Sequence, residues 1–136
     1  MATAGYSGTP LAQKLGIKPT TKIKLINAPS EYEKWLNIPV AEQLCEANQI
    51  PDLIHLFSTD FKDFEKVMKQ LKPIMKKNSS VVIWVSWYKK ASKIKTDITE
   101  ALIRDHALKN GLVDVKVCAV SDTWSGLKLV VPLAKR

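Results

Sequence analysis

Residues 81–90, Val-Val-Ile-Trp-Val-Ser-Trp-Tyr-Lys-Lys, pass from an unbroken apolar run to aromatics and then to cations. A short apolar run of this kind suits a strand buried on both faces, the condition of central strands in parallel sheets. In an open α/β sheet, ligands bind beyond the carboxyl ends of the strands. The stretch therefore constrains the chain twice. Its first half demands a core with layers on both sides, and its exit carries groups able to meet a ligand.

The flanking sequence supplies those layers. Lys22–Asn27 alternates as a strand, and Asp52–Phe57 reads as a second buried strand. Asp60 suits the cap of a long helix whose apolar positions Phe61, Phe64, Val67, Met68, Leu71, Ile74 and Met75 recur at threes and fours. Lys62, Lys66, Lys69 and Lys76 fall on the opposite, wet face. After the 81–87 strand and a lysine-rich loop, a helix is expected from Asp97 to Asn110. Asp97 and Glu100 would act as a capping pair, and Gly111 as the exit. Val113–Val120 and Leu127–Val131 alternate as two further strands around a turn. Upstream, Thr9 and Pro10 can open a short helix that Gly16 ends, and Ser30 with Glu33 has the spacing of a capping box. Residues 42–47 fit either a short edge strand or a helical turn.

This order predicts one three-layer α/β domain over residues 1–136, with a mostly parallel sheet and a C-terminal antiparallel hairpin. Residues 1–20 would form an N-terminal segment with a short helix, and residues 21–132 the sheet core. A length of 136 residues suits one domain. No apolar run is long enough to span a bilayer. The first residues lack a cationic start and an apolar signal core, so a cytoplasmic protein without membrane partners is expected. Cys45 and Cys118 form no Cys-x-x-Cys pair and read as reduced, buried thiols. The formal net charge of +8 favours anionic partners: a small anionic ligand, a nucleotide or a nucleic acid.

Two resemblances can be read from the residues. Over residues 22–132, the segment Pro51–Phe57, a helix ending Leu71-Lys72-Pro73, and the strand Val81-Val82-Ile83-Trp84 resemble the later half of a class I methyltransferase domain. That resemblance implies a three-layer Rossmann-like, methyltransferase-like fold in which the last strand inserts between its two predecessors. Gly5-Tyr6-Ser7-Gly8-Thr9-Pro10, Trp84-Val85-Ser86-Trp87, Lys89-Lys90-Ala91-Ser92, Gly111–Val120 and Trp124-Ser125-Gly126-Leu127-Lys128 resemble a family of small bacterial proteins known as a domain of unknown function. Tyr88 stands where that family suggests proline, and Thr20 where it suggests glycine. The second resemblance implies a fold and no reaction.

A methyltransferase needs a glycine-rich turn after its first strand, where backbone must approach the cofactor. Here that turn is Asn27-Ala28-Pro29-Ser30, with no glycine and with a proline that lacks an N–H. S-adenosylmethionine is accordingly not expected as a cofactor. His55 lies inside an apolar strand and reads as a buried, hydrogen-bonded group. His106 sits near a helix C-terminus, where a positive charge is favourable. Asp114 and Lys116 share a strand face and suit a cross-strand or local ion pair. The histidines and cysteines have no metal-ligand spacing, and no nucleophile elbow, phosphate loop or carboxylate pair occurs. No catalytic residue is assigned. The candidate ligand-binding residues are Asn27, Trp87, Lys89, Lys90 and Trp124, all expected at the carboxyl edge of the sheet. They suggest a non-catalytic binding or regulatory module for a small anionic ligand or a partner segment at that edge. The alternatives are nucleic-acid binding through the Lys89–Lys95 loop and a divergent methyltransferase-like enzyme.

Overall fold

The structure is a computed structural model that describes residues 10–136. The motif from Gly5 to Thr9, including the expected cap Thr9, lies outside the described residues.

Five strands form one sheet: β1 (Ile23–Ile26), β2 (Leu53–Phe57), β3 (Val82–Tyr88), β4 (Val113–Ala119) and β5 (Trp124–Val130). Their spatial order is β1-β2-β3-β5-β4. β1, β2 and β3 pair in parallel, whereas β5 runs antiparallel to both β3 and β4. The sheet is thus mixed, not mostly parallel. β5 enters between β3 and β4, so one reversed strand converts two pairings at once.

Four helices complete three layers: α1 (Leu11–Leu15), α2 (Tyr32–Leu36), α3 (Phe61–Lys77) and α4 (Glu100–Lys109). α3 and α4 cover one face, where Phe64, Val67, Met68, Ile103 and Ala107 bury against Ile54, Ile83, Val85 and Leu127. Each fully buried aliphatic or phenyl group contributes roughly 1.5–3 kcal/mol to the burial term. α1 and α2 cover the other face, where Leu11, Leu15, Tyr32 and Leu36 meet Leu53, Phe57, Trp84 and Trp124. Strand alternation divides the opening stretch between them. Trp84 and Ser86 point to the α1–α2 side, and Ile83, Val85 and Trp87 to the α3–α4 side. Trp84 is fully buried and donates from Nε1 to the Leu15 carbonyl at 3.0 Å. α1 is thereby fastened to the middle of the sheet, and Gly16 then turns the chain away with φ +81°.

Several local expectations are corrected. Ser30 and Glu33 do not form a capping box: α2 begins at Tyr32, Ser30 donates to Glu31, and Glu33 accepts from the Val40 amide at 2.9 Å. Pro73 does not end α3, which continues to Lys77. Asp97 does not cap α4. Thr99 does, accepting from the Leu102 amide at 3.2 Å, while Glu100 pairs with Arg104. Asp114 pairs with Arg104 at 2.9 Å rather than with Lys116, because a bulge between Asp114 and Lys116 breaks the alternation. Residues 42–47 combine both readings: a tight turn over Ala41–Gln43 leads into a single bridge from Leu44 to Ile23. Cys45 and Cys118 are free thiols, partly exposed rather than buried.

Candidate functional site

β3 delivers its carboxyl end, Trp87-Tyr88, into a loop that the rest of the fold holds firmly. The Lys89 amide donates to the Thr123 carbonyl at 2.8 Å, joining the loop to the β4–β5 connection. Lys90–Ser92 make a tight turn, closed by Ser92 Oγ donating to the Lys89 carbonyl at 2.6 Å. Lys93 adopts φ +60° and reverses the chain. Thr96 Oγ1 then donates to the Thr59 carbonyl at 2.7 Å, and Asp97 Oδ1 accepts from the Phe61 amide at 2.8 Å. The loop leaves the sheet edge and returns to the start of α3, clipped at both ends.

Between this loop and the first turns of α3 and α4 lies a groove of about 1110 Å³. Trp87 forms part of its wall, Ile94 and Ile98 add apolar area, and Lys90, Lys93 and Lys95 stand along the loop side. Thr59 and Asp60 bring the N-terminus of α3 to the groove, and Thr99 and Glu100 that of α4. The carboxylates present are already engaged. Asp60 accepts from the Asp63 amide, Asp97 from Phe61, and Glu100 pairs with Arg104. The ammonium groups of Lys90, Lys93 and Lys95 have no hydrogen-bonded or ionic partner among the described residues. The uncommitted charge of the groove is therefore positive. The two helix N-termini add partial positive charge of the same sign.

The structure does not gather the five expected residues onto one surface. Trp87 and Lys90 line the groove. Lys89 is half-buried and contributes its backbone to holding the loop. Trp124 pairs across the ladder with Tyr88, so it faces the other side of the sheet. There it meets Phe57 edge-on at 5.0 Å and Tyr88 at 4.4 Å, and it is buried. Asn27 is exposed at the end of β1, two strands from β3, and takes φ +57°. At roughly 4.8 Å per strand, it stands about 10 Å to the side. Sequence reasoning placed Thr59 at this edge and missed Thr96, Thr99 and Ser125 as part of the groove. The signal for Thr96 and Thr99 was present in the polar residues that precede a helix, which a parallel strand order brings to one edge.

On the other face, buried polar groups form a chain. His55 Nε2 lies 2.7 Å from Ser86 Oγ, and His55 Nδ1 lies 2.8 Å from the Tyr32 hydroxyl. All three residues are buried. Burial pushes the His55 pKa down to about 3 and raises that of Tyr32, so both are neutral at physiological pH. The order serine, histidine, tyrosine places a nucleophile next to a base and an orienting group. However, Phe57 stacks on the imidazole at 4.4 Å, and Ser86 is fully buried opposite Gly126. The three side chains form a polar tie between α2, β2 and β3. No cluster of three or more histidine, cysteine or acidic residues suited to a metal occurs among the described residues.

No family model and no curated protein matches the chain. Among solved structures, it is similar to a protein in the NADB-Rossmann superfamily from Streptococcus agalactiae. The TM-score is 0.51 at 10% identity, covering 95% of this chain and 70% of that one. At that identity the likeness shows the fold, which is Rossmann-like. No helix of the described residues is long and apolar enough to cross a membrane.

Proposed function

We propose that this protein is a non-catalytic binding or regulatory module that holds a small anionic ligand in the groove beyond the carboxyl end of β3. One observation carries the reading: Lys90, Lys93 and Lys95 line the groove without acidic partners, while every carboxylate there is engaged. The groove's place supports it too, since open α/β sheets take ligands outside the carboxyl ends of their strands. The ligand's charge sits along the loop, and its less polar part against Trp87 and Ile94. Titration with sugar phosphates and nucleotides, followed by backbone amide shifts, tests this. Shifts over residues 89–101 support the site, and shifts confined to the opposite end of the sheet overturn it.

A second reading, nucleic-acid binding through the Lys89–Lys95 loop, draws on the same lysines. Single strands bind by stacking bases on open aromatic faces as well as by charge. Trp87 is only 7% exposed, and Tyr88, half-buried at the groove, has one ring face against Trp124, which favours the small ligand. Oligonucleotide affinity that falls steeply with salt and vanishes in Lys89→Ala/Lys90→Ala/Lys93→Ala would reverse that preference.

The third reading is a divergent methyltransferase-like enzyme in the cytoplasm of a bacterium. The insertion of β5 between β3 and β4 agrees with that architecture. The residues at the cofactor position fit poorly. Asn27-Ala28-Pro29-Ser30 supplies no glycine, Pro29 no donor, and β1 is the outermost strand. Absence of heat on mixing with S-adenosylmethionine would count against this reading, and saturable binding would restore it.

A further inference from the structure

Toward the C-terminal halves of α3 and α4, away from the groove, the seam between these helices holds a half-open cavity of about 180 Å³. Its apolar lining comes from Met68 and Leu112, both buried, and from Met75, partly buried. Its polar lining is Glu65, Lys69 and Lys72 on one stripe of α3, with His106 and Asn110 from α4. Lys69 and Lys72 make no ion pair among the described residues, whereas nearby Lys109 is held by Asp105 at 3.0 Å. The His106 ring is fixed edge-on to Phe64 at 5.0 Å. Its nitrogens have only the Asn110 amide at 3.5 Å, and that amide is committed to the His106 carbonyl at 2.8 Å. The imidazole therefore keeps hydrogen-bonding capacity for a ligand in the cavity.

We propose that this cavity is a second ligand site, which takes a small monocarboxylate with a flat or short apolar body. The body rests on Met68, Met75 and Leu112, and the carboxylate lies between Lys72 and His106. Size and charge select this class. A dry cavity of about 150 Å³ is known to admit benzene, so the present volume suits a ring of that size bearing one carboxylate. Glu65 lines the same space and repels multiply charged anions such as phosphates. Methionine thioethers adapt to flat apolar partners.

Binding is coupled to a proton. In the free protein, burial first, and Lys72 and Lys109 next, hold His106 below its usual pKa, against Glu65 and Asp105. Lys69 lines the same cavity from α3. A bound carboxylate favours the imidazolium, so His106 takes up a proton from solvent as the ligand enters. An adjacent opposite charge that moves the pKa by about one unit makes the ligand up to about tenfold tighter at low pH than at neutral pH.

Benzoate is the probe, followed by the methyl spectra of Met68 and Met75, which with Met1 are the protein's methionines. The expected result is saturable shifts of the Met68 and Met75 methyls, with the dissociation constant up to about tenfold lower at pH 5 than at pH 7.5. His106→Gln is expected to keep weak binding and lose the pH dependence. Lys72→Ala, a change at an exposed side chain, is expected to weaken binding at both pH values and covers the case in which the histidine variant is unstable. Lys90→Ala/Lys93→Ala/Lys95→Ala is expected to leave benzoate binding unchanged, which separates this site from the groove. No shift of either methyl at high benzoate, or equal shifts with inorganic phosphate, overturns the proposal.

Discussion

Ser86 Oγ and His55 Nε2 meet at 2.7 Å across the β2–β3 ladder, inside a layer otherwise filled by aliphatic and aromatic side chains. The imidazole is neutral there, since nothing beside it compensates a charge and burial pushes its pKa to about 3. Below the unfolded value near 6.5, the unfolded chain binds a proton that the folded chain refuses. Stability from this group is thus fully present above pH 6.5 and is lost as pH falls from there toward about 3. The slope approaches about 1.4 kcal/mol per pH unit. Urea unfolding at pH 7 and pH 5 should therefore differ by about 2 kcal/mol, with most of the difference absent in His55→Gln. Equal pH dependence in the two proteins would show that His55 is not the buried titrating group.

Removing the partner should expose the same relationship from the other side. Ser86→Ala leaves the Nε2 position of His55 unpaired in a site closed to water. The expected loss is about 1–3 kcal/mol, measured by chemical denaturation. A double-mutant cycle with His55→Gln should return a coupling of about 0.5–3 kcal/mol. Strict additivity would contradict the hydrogen bond.

Gly126 stands opposite Ser86 on β5, and it is there for space rather than for backbone freedom. A Cβ at this position would lie 3.0 Å from Val120 Cγ2 and 3.3 Å from Trp84 Cε3. Trp84 is fixed by its bond to Leu15, so it cannot retreat without releasing α1. Gly126→Ala should lower stability by about 1–3 kcal/mol. Hydrogen exchange over residues 11–17 should rise at the same time. A neutral substitution would mean that Trp84 has room the structure does not show.

Much of the architecture was legible because alternation and three-four spacing report burial directly. Val81–Trp87 and Phe61–Met75 each read as the element they form. What failed were pairings of polar side chains. Ser30 and Glu33 have the spacing of a cap but bond elsewhere, since Glu33 reaches the Val40 amide. Asp97 has the spacing to cap its own helix but serves the first turn of α3, 36 residues earlier in the chain. Spacing records what neighbours could do, and tertiary contacts decide which option is used. The candidate site residues are divided between two faces for a related reason. Trp87 and Trp124 both lie at the carboxyl edge, yet strand parity sends them to opposite faces. That parity depends on which residues of β3 and β5 pair, and the sequence does not state the register.

The clip formed by Thr96 and Asp97 should matter more for the loop than for the fold. Asp97→Ala removes an acceptor from the first turn of α3 and should reduce stability by about 0.5–2 kcal/mol. Faster amide exchange confined to residues 89–97 is the expected signature. Unchanged exchange there would show that the Lys89–Thr123 and Thr96–Thr59 contacts alone hold the loop.

The central claim is that unpaired lysine charge in the groove binds an anion. Calorimetric titration of inorganic tripolyphosphate into the wild-type chain and into Lys90→Ala/Lys93→Ala/Lys95→Ala tests it most directly. The account predicts saturable, salt-sensitive binding to the wild type and a loss of at least about tenfold in the variant, since three phosphate contacts are removed. Equal binding by both proteins, or no binding to the wild type at low salt, would contradict it.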